Sequence, residues 1–580
     1  MLKRLAHSYA VSLFLVILVT AGGSTSGSKM EMTEKERERS RVEIVFYNGN
    51  IYTMDDGMPK AEAIAVGGGW VLDVGGTDEV LSRCRPGVHR VDLGGRTVIP
   101  GLVDAHAHFL GFAKLRAWVD LVGTSSLEDV MSKVSERAGE EEGGHWILGR
   151  GWDQNDWPET HYPHKEIFEK IVSGRPVYLV RTCGHAAFVN DEALRLAHIT
   201  SETPDPPGGK ILRDEQGAPT GVLIDEAMEL VSSKIPPLSR EEKKQYLVEA
   251  AHECLSVGLV GLHEMGITSE TAAIYKELLQ EEVLPFRINA YYQYDEADLD
   301  SVLEAGPVRG YADHHLSVSG VKFYIDGSLG ARSAALLEDY SDDPGNRGIL
   351  IIEPEALHRK ILTCHRKGFQ AAVHAIGDRG ISLVLDIYER ILSEYPSENR
   401  RHRVEHAQIV SPRDIPRFAS LGLIPSMQFT HCTSDMPWAG ERLGSERLKG
   451  AYAWRSFLSE GCTIPGGSDF PVESINPFLG IYAAVTRKDL HGHPEGGWSP
   501  EQCLTVEEAV KAFTVHAAYA VHEEEMRGTL SAGKLADFIV ISHDIMNVTP
   551  ENIPLIKVHA TVLGGEVVYR SEELPPRDIE

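Results

Sequence analysis

Histidines and acidic residues recur in this chain at spacings that could hold a metal ion. The run Pro100-Gly101-Leu102-Val103-Asp104-Ala105-His106-Ala107-His108 carries two imidazoles two residues apart. On an extended strand that spacing puts both side chains on one face. Neutral imidazole is a borderline ligand that suits zinc, iron or nickel. An isolated His-x-His is more often a packed structural pair, so it carries little by itself. Three later segments repeat the theme: His374 and Asp378 in Ala372-Val373-His374-Ala375-Ile376-Gly377-Asp378, His406 in Arg403-Val404-Glu405-His406-Ala407, and Asp469 in Gly466-Gly467-Ser468-Asp469-Phe470-Pro471. Satisfied core histidines are not expected to gather at successive strand ends, and the set points to a metal centre. Lys322 stands apart, among apolar neighbours in Val321-Lys322-Phe323-Tyr324-Ile325-Asp326-Gly327. Burial lowers the pKa of a lysine, and a neutral amine can add carbon dioxide to give a carbamate that bridges two metals. Taken alone, the strand favours the simpler readings: a lysine paired with a carboxylate, or one that snorkels outward.

Such residues need a frame that brings strand ends together. Eight parallel strands are predicted at 97–109, 258–266, 286–294, 318–327, 369–378, 402–410, 423–431 and 462–471, with helices at 240–256, 269–282, 355–367 and 381–394 between some of them. This alternation predicts an α/β fold, a TIM-like (β/α)₈ barrel whose catalytic residues lie at the C-terminal strand ends. The barrel is expected over 97–525. Residues 110–239 are too long for one crossover and read as an insertion on the catalytic face, with strands of its own at 176–181 and 221–224. Both ends of the chain are β-rich, with short antiparallel strands and turns at Asn48-Gly49-Asn50, Gly67-Gly68-Gly69 and Gly564-Gly565. They predict one composite β-sandwich, its first part over 42–96 and its second over 526–572, followed by a tail at 573–580.

Bulk properties exclude several classes. With 580 residues, 42% hydrophobic and 24% charged, the chain is ordinary globular material. A net charge of −28 argues against a nucleic-acid surface and against a polybasic membrane contact. Seven scattered cysteines without CxxC spacing give neither a disulfide framework nor a cysteine-rich zinc site. Lys3 and Arg4, the apolar run Ala10 to Ala21 and the small residues Gly22-Gly23-Ser24 predict a cleaved export signal over 1–28, an uncleaved signal anchor being the alternative. The charged segment 29–41 reads as a linker. Asn547-Val548-Thr549 is a glycosylation sequon, relevant only in a eukaryotic secretory route.

The order His-x-His, Lys, His, His, Asp on strands one, four, five, six and eight resembles the amidohydrolase superfamily. The segment from Val321 to Arg332, Gly184-His185-Ala186-Ala187-Phe188-Val189-Asn190, Val373 to Asp378, Gly467-Ser468-Asp469 and the tail from Gly528 to Phe538 are similar to its amidohydrolase family 3 branch. The resemblance runs from about Val42 to Tyr569. It implies a barrel with a composite sandwich and two divalent metals, usually zinc. His106, His108 and Asp469 would hold one metal, and His374 and His406 the other, with a carbon dioxide-derived carbamate on Lys322 bridging them. It further implies hydrolysis of a non-peptide C–N bond in an amide, N-formyl or cyclic amide by a metal-activated hydroxide, with Asp469 carrying the proton from nucleophile to leaving amine. His185 and Asn190 match the branch motif and are candidate pocket residues, as are Trp152 and Asp153; structural roles in the insertion are equally open. His263 and Glu264 fall near the end of strand two, and Pro437 and Trp438 follow strand seven, all without an assigned role. Two other readings remain: a ring deaminase on the same barrel with one metal, and a secreted binding protein that has lost catalysis. The expected partner is a small-molecule substrate, and a homodimer is left open.

Overall fold

The computed structural model describes residues 41–572, apart from 141–145, 173, 183 and 398. The export signal expected at 1–28, the linker up to residue 40 and the tail at 573–580 lie outside the described residues.

Alternating apolar residues at the two chain ends fold into facing sheets. One sheet has the order Trp70–Gly75, Ala63–Gly67, Ile44–Tyr47, His89–Asp92. The other runs Glu566–Arg570, Val558–Leu563, Phe538–Ile541, Thr97–Pro100, Asn50–Tyr52, Lys60–Ala61. Phe46, Ile64, Val66 and Val91 of the first pack on Ile51, Val98, Phe538, Val540 and Val562 of the second. Phe46 and Phe538 meet edge-on at 4.9 Å between ring centroids. The sandwich therefore draws its core from both termini, and neither end could bury its apolar face alone.

The first barrel strand differs from its expected span. Residues 97–109 are not one strand: Thr97–Pro100 pairs antiparallel with Phe538–Ile541 in the sandwich, and the chain enters the barrel only at Leu102. Gly101 makes the change of sheet. Its N–H donates to Asp537 O at 3.0 Å, and a Cβ there would lie 2.5 Å from Val260. Proline before it and a close-packed neighbour beside it explain why the strand pattern reads through a break.

The barrel strands are β1 (Leu102–Ala107), β2 (Leu259–Ile267), β3 (Arg287–Gln293), β4 (Leu316–Tyr324), β5 (Gln370–Ala375), β6 (Arg403–His406), β7 (Ile424–Gln428) and β8 (Gly466–Gly467). Each pairs in parallel with the next. The ring closes between β8 and β1, where Asp469 N–H donates to His106 O and His108 N–H to Phe470 O, both at 2.8 Å. Regular pairing in β8 is limited to two glycines. A Cβ on Gly467 would sit 2.7 Å from both Asp104 Oδ1 and the His106 nitrogen, so the closest approach of the seam requires glycine. The helices Arg240–Ser256, Ser269–Gln280, Pro354–Arg366 and Asp378–Glu394 cover the outside. The first of these starts in a capping box in which Ser239 and Glu242 satisfy each other's backbone N–H.

The insertion forms a unit with its own cores. Six strands order as Gly209–Arg213, Pro219–Asp225, Ala186–Val189, Val177–Arg181, Ile147–Trp152, Trp118–Asp120. Val130, Met131 and Val134 of the helix Leu127–Glu140 pack on one face. Ala193 and Leu194 pack on the other. The helix Phe109–Lys114 belongs with the barrel instead, because Phe109 stacks on Tyr275 and Phe286.

A buried histidine chain outside the strand ends makes stability depend on pH. Ala371 N–H donates to His402 Nδ1 at 2.9 Å; His402 Nε2 then donates to His365 Nδ1 at 3.0 Å, and His365 Nε2 to Tyr395 O at 2.9 Å. Every nitrogen is used only when both rings are neutral. Burial, first of all, holds the His402 imidazole well below its ordinary range and lowers that of His365. The unfolded chain takes up these protons near pH 6.5 and the folded chain does not, so stability is kept above that pH and lost below it. Urea titrations from pH 7.5 to 5 should show this loss. His402→Gln should flatten the slope by up to about 1.4 kcal/mol per pH unit. An unchanged slope would assign the effect to other groups.

Candidate metal centre

The strand ends converge on Asp469. His106 and His108 point into the barrel from the end of β1, as their spacing dictates. The Nε2 atoms of His108 and His106 lie 3.1 Å and 3.4 Å from Asp469 Oδ1. Lys322 enters from β4, with Nζ 3.4 Å from His106 Nε2. The His406 ring lies 4.7 Å from that of His106 and 4.6 Å from that of His374, between centroids. Two groups of ligand atoms each fall within 4.8 Å of one another: His106, His108 and Asp469, and His406, His431 and Asp469. His406 and Asp469 both have left-handed backbone, φ 72° and 62°. Neither is glycine, and such strain persists only where the surroundings enforce it, most often at functional sites.

The surroundings fix which ring nitrogen faces inward. His106 Nδ1 donates to Glu405 Oε2 at 2.6 Å, leaving Nε2 as the bare nitrogen. His406 Nδ1 donates to Gln428 Oε1 at 2.7 Å, with the same result. His374 Nε2 faces Gly327 O at 3.4 Å, which leaves Nδ1 as its bare atom. Burial, with Lys322 next in order, lowers the His106 imidazole to about 4 and that of His374 to about 3. These rings are therefore neutral at ordinary pH, the state a metal ligand requires. Burial also lowers the Lys322 amine to about 8.

Beneath the imidazoles lies a fixed charge pair. Burial alone would raise the Glu405 carboxyl, but Arg403 and His106 hold it below the ordinary carboxylate range. Arg403 Nε donates to Glu405 Oε1 at 2.6 Å, and its other nitrogens reach Ala105 O, Ser426, Tyr291 and His263. This saturated guanidinium fixes Glu405, and Glu405 fixes His106. Asp104 accepts from the His106 and Ser468 N–H groups and from the Ser468 hydroxyl, joining β1 to β8. Asp326, at the end of β4, accepts from the Ile376, Gly377 and Ala335 N–H groups, so the turn after β5 is held against the turn after β4.

Other sequence candidates go elsewhere. Asn190 caps the helix Asp191–Leu196: its Oδ1 accepts from Ala193 and Val177 N–H, and its Nδ2 donates to Arg175 O. Trp152 is buried in the insertion core beside Trp157 and Phe188, with Nε1 donating to Leu179 O. Asp153 accepts from Arg181 at 2.6 Å and caps the turn that follows. His185 is 78% exposed beside Asp225, at 2.9 Å. Of the two roles the sequence leaves open for Asn190 and Trp152, these contacts are structural: a backbone cap and an apolar core claim them. His263 accepts from Arg403, and Glu264 accepts from the Phe109 and Leu110 N–H groups just after His108. Asp378 accepts from Leu337 N–H, and Trp438 lies under the Arg442 guanidinium at 4.8 Å. His431, Glu405 and Gln428 were not singled out for the centre. Glu405 was visible beside His406, but its role needs β6 laid against β1.

The donor set fits a metal. Ligand atoms sharing one tetrahedral ion at about 2.0–2.1 Å lie roughly 3.3 Å apart. The 3.1 Å and 3.4 Å separations around Asp469 Oδ1 match that edge. The sequence profile of the amidohydrolase family matches residues 90–569. The chain is 33% identical over 537 residues to YtcJ of Bacillus subtilis (strain 168), named as an amidohydrolase, covering 91% of this chain and 99% of that one. It is 26% identical over 541 residues to the N-substituted formamide deformylase of Arthrobacter pascens, covering 91% of this chain and 98% of that one. Among solved structures, an uncharacterized metal-dependent hydrolase from Pyrococcus horikoshii matches with TM-score 0.72 at 28% identity, covering 87% of this chain and 99% of that one. The chain belongs to the amidohydrolase family and is a metal-dependent hydrolase.

Proposed function

We propose that this hydrolase cleaves a non-peptide C–N bond in a small amide or N-formyl compound, with two divalent metals, zinc by the chemistry of the donors. His106, His108 and Asp469 would hold one ion, and His374 and His406 the other, with Lys322 between them as a carbamate. The observation that carries the reading is the ring of imidazoles around Asp469 and Lys322. Similarity to the N-substituted formamide deformylase supports the bond class. Bound metals would supply an acidified water and a polarised substrate carbonyl.

The residues of the chain supply positioning and proton transfer. Burial would raise the Asp469 carboxyl, but the imidazoles around it, His106 first, hold it below the ordinary range. It is an anion at the moment of attack, able to take the proton from the attacking water and return it to the departing nitrogen. Glu405 keeps His106 in one tautomer throughout, and Gln428 does the same for His406.

The test is a panel of N-alkylformamides, anilides, cyclic amides and amino-substituted heterocycles, run beside elemental analysis of protein prepared without chelator. About two metals per chain and release of an amine are expected. Ammonia release from a heterocycle, with one metal at full activity, would replace this reading by ring deamination.

A further inference from the structure

His431 lies in the first turn of the helix Phe429–Arg447, which follows β7. Its ring is nearly parallel to that of His406, at 15° and 6.0 Å between centroids. The side chain is 13% exposed, yet Nε2 is fully buried and makes no hydrogen bond to the protein. That atom stands 3.9 Å from Asp469 Oδ2, too far for a direct bond. A buried polar atom without a partner is costly unless something else completes it.

Two features separate His431 from His106, His374 and His406. His106, His374 and His406 each have one nitrogen engaged by Glu405, Gly327 O or Gln428, as metal ligands are when their tautomer must be fixed. No such partner engages His431, although Asp435 lies one turn further along the same helix. Asp435 is held instead by Tyr452 and Gln408. Asp469 also presents its two oxygens differently. Oδ1 faces His106 and His108, whereas Oδ2 faces His431. The gap between Oδ2 and His431 Nε2 is bounded by the group that must exchange a proton with the substrate and by a polar atom that lacks a partner.

We infer that His431 is a catalytic residue whose Nε2–H donates a hydrogen bond to the substrate carbonyl oxygen as it becomes an oxyanion. The inference rests on the proposed C–N hydrolysis and gives that reaction its oxyanion donor. The proton stays on Nε2; only the hydrogen bond strengthens as charge builds on oxygen. A donor already in place before reaction is worth most where charge develops in the transition state and little in the ground state.

The experiment compares wild type with His431→Phe and His431→Gln, each loaded with zinc. Glutamine can place an N–H near the position of Nε2, and phenylalanine cannot. With N-butylformamide as substrate, His431→Phe should lower kcat about 10²–10³-fold with KM changed less than about threefold. Metal content should equal that of wild type, and His431→Gln should recover at least about tenfold of the loss. Loss of metal in His431→Phe would make His431 a ligand and overturn the proposal; so would kcat within about threefold of wild type. If the wild type cleaves no formamide, the bond-class reading fails separately, and calorimetric binding of methylphosphonate decides His431. This tetrahedral anion should bind about tenfold more weakly to His431→Phe than to wild type and His431→Gln. Equal binding to all three, or none to wild type, would overturn the proposal.

Discussion

Asp469→Asn is expected to lower kcat by about 10²–10⁴-fold or more, because in the proposed reaction one residue would carry two duties. The first is ligation. Asp469 Oδ1 lies within 3.4 Å of both inward nitrogens of the His-x-His pair. An amide keeps an oxygen for that place but loses the negative charge. The second is proton transfer, since an amide cannot take a proton from water and hand it to a leaving amine at neutral pH. The substitution is close to isosteric, and asparagine is among the residues that tolerate the left-handed backbone present here. The backbone bond from Asp469 N–H to His106 O is also untouched, so the fold should survive. Metal content and kcat should be measured on the same preparation. Activity within about tenfold of wild type would show that another group moves the proton.

Lys322→Ala should remove metal and activity together. Lys322 is buried on β4 between Val321 and Phe323, and its amine faces the bare Nε2 of His106. As an ammonium it would compete with metal ions for the same space. Burial lowers it to about 8, so a share of the amine is neutral near neutral pH and can add carbon dioxide. The product of that proposed addition would be a carbamate and one released proton. The buried cation would be replaced by an anion with two oxygens, and both changes would favour divalent ions nearby. The alanine variant loses that anion and leaves a gap of the right size for a free one. Bicarbonate with a short carboxylic acid should therefore restore part of the metal and part of the turnover. A metal-loaded crystal structure with an unmodified amine on Lys322 would defeat this account and favour a mononuclear site.

Local geometry made much of the centre legible. The two-residue period of a strand fixes that His106 and His108 share a face, whatever the rest of the fold does. Strand and helix periodicity likewise set eight strands with helices between several of them, and the C-terminal ends of such strands are where a barrel gathers its side chains. Glu405 illustrates the limit. It is one residue from His406 and therefore on the opposite side of an ideal strand, yet both reach the centre because His406 leaves the strand in left-handed backbone. No periodicity foretells that turn.

The sequence by itself determined the fold class, the order of the candidate metal-binding residue types and the sharing of the sandwich by both termini. All three follow from periods of two and 3.6 residues and from residue chemistry, which act within one element. Only the tertiary structure decided where strand 97–109 breaks, because Gly101 is required by Val260 from another strand. Only it removed Asn190 to a helix cap and Trp152 to a core, since the demand for a cap or a core filler comes from groups distant in sequence. Only it brought His431 to Asp469. Those residues stand on different strand ends, and their approach is set by the parallel pairing of β7 with β8, where Gln428 lies opposite Gly467, a long-range pairing that no local pattern contains.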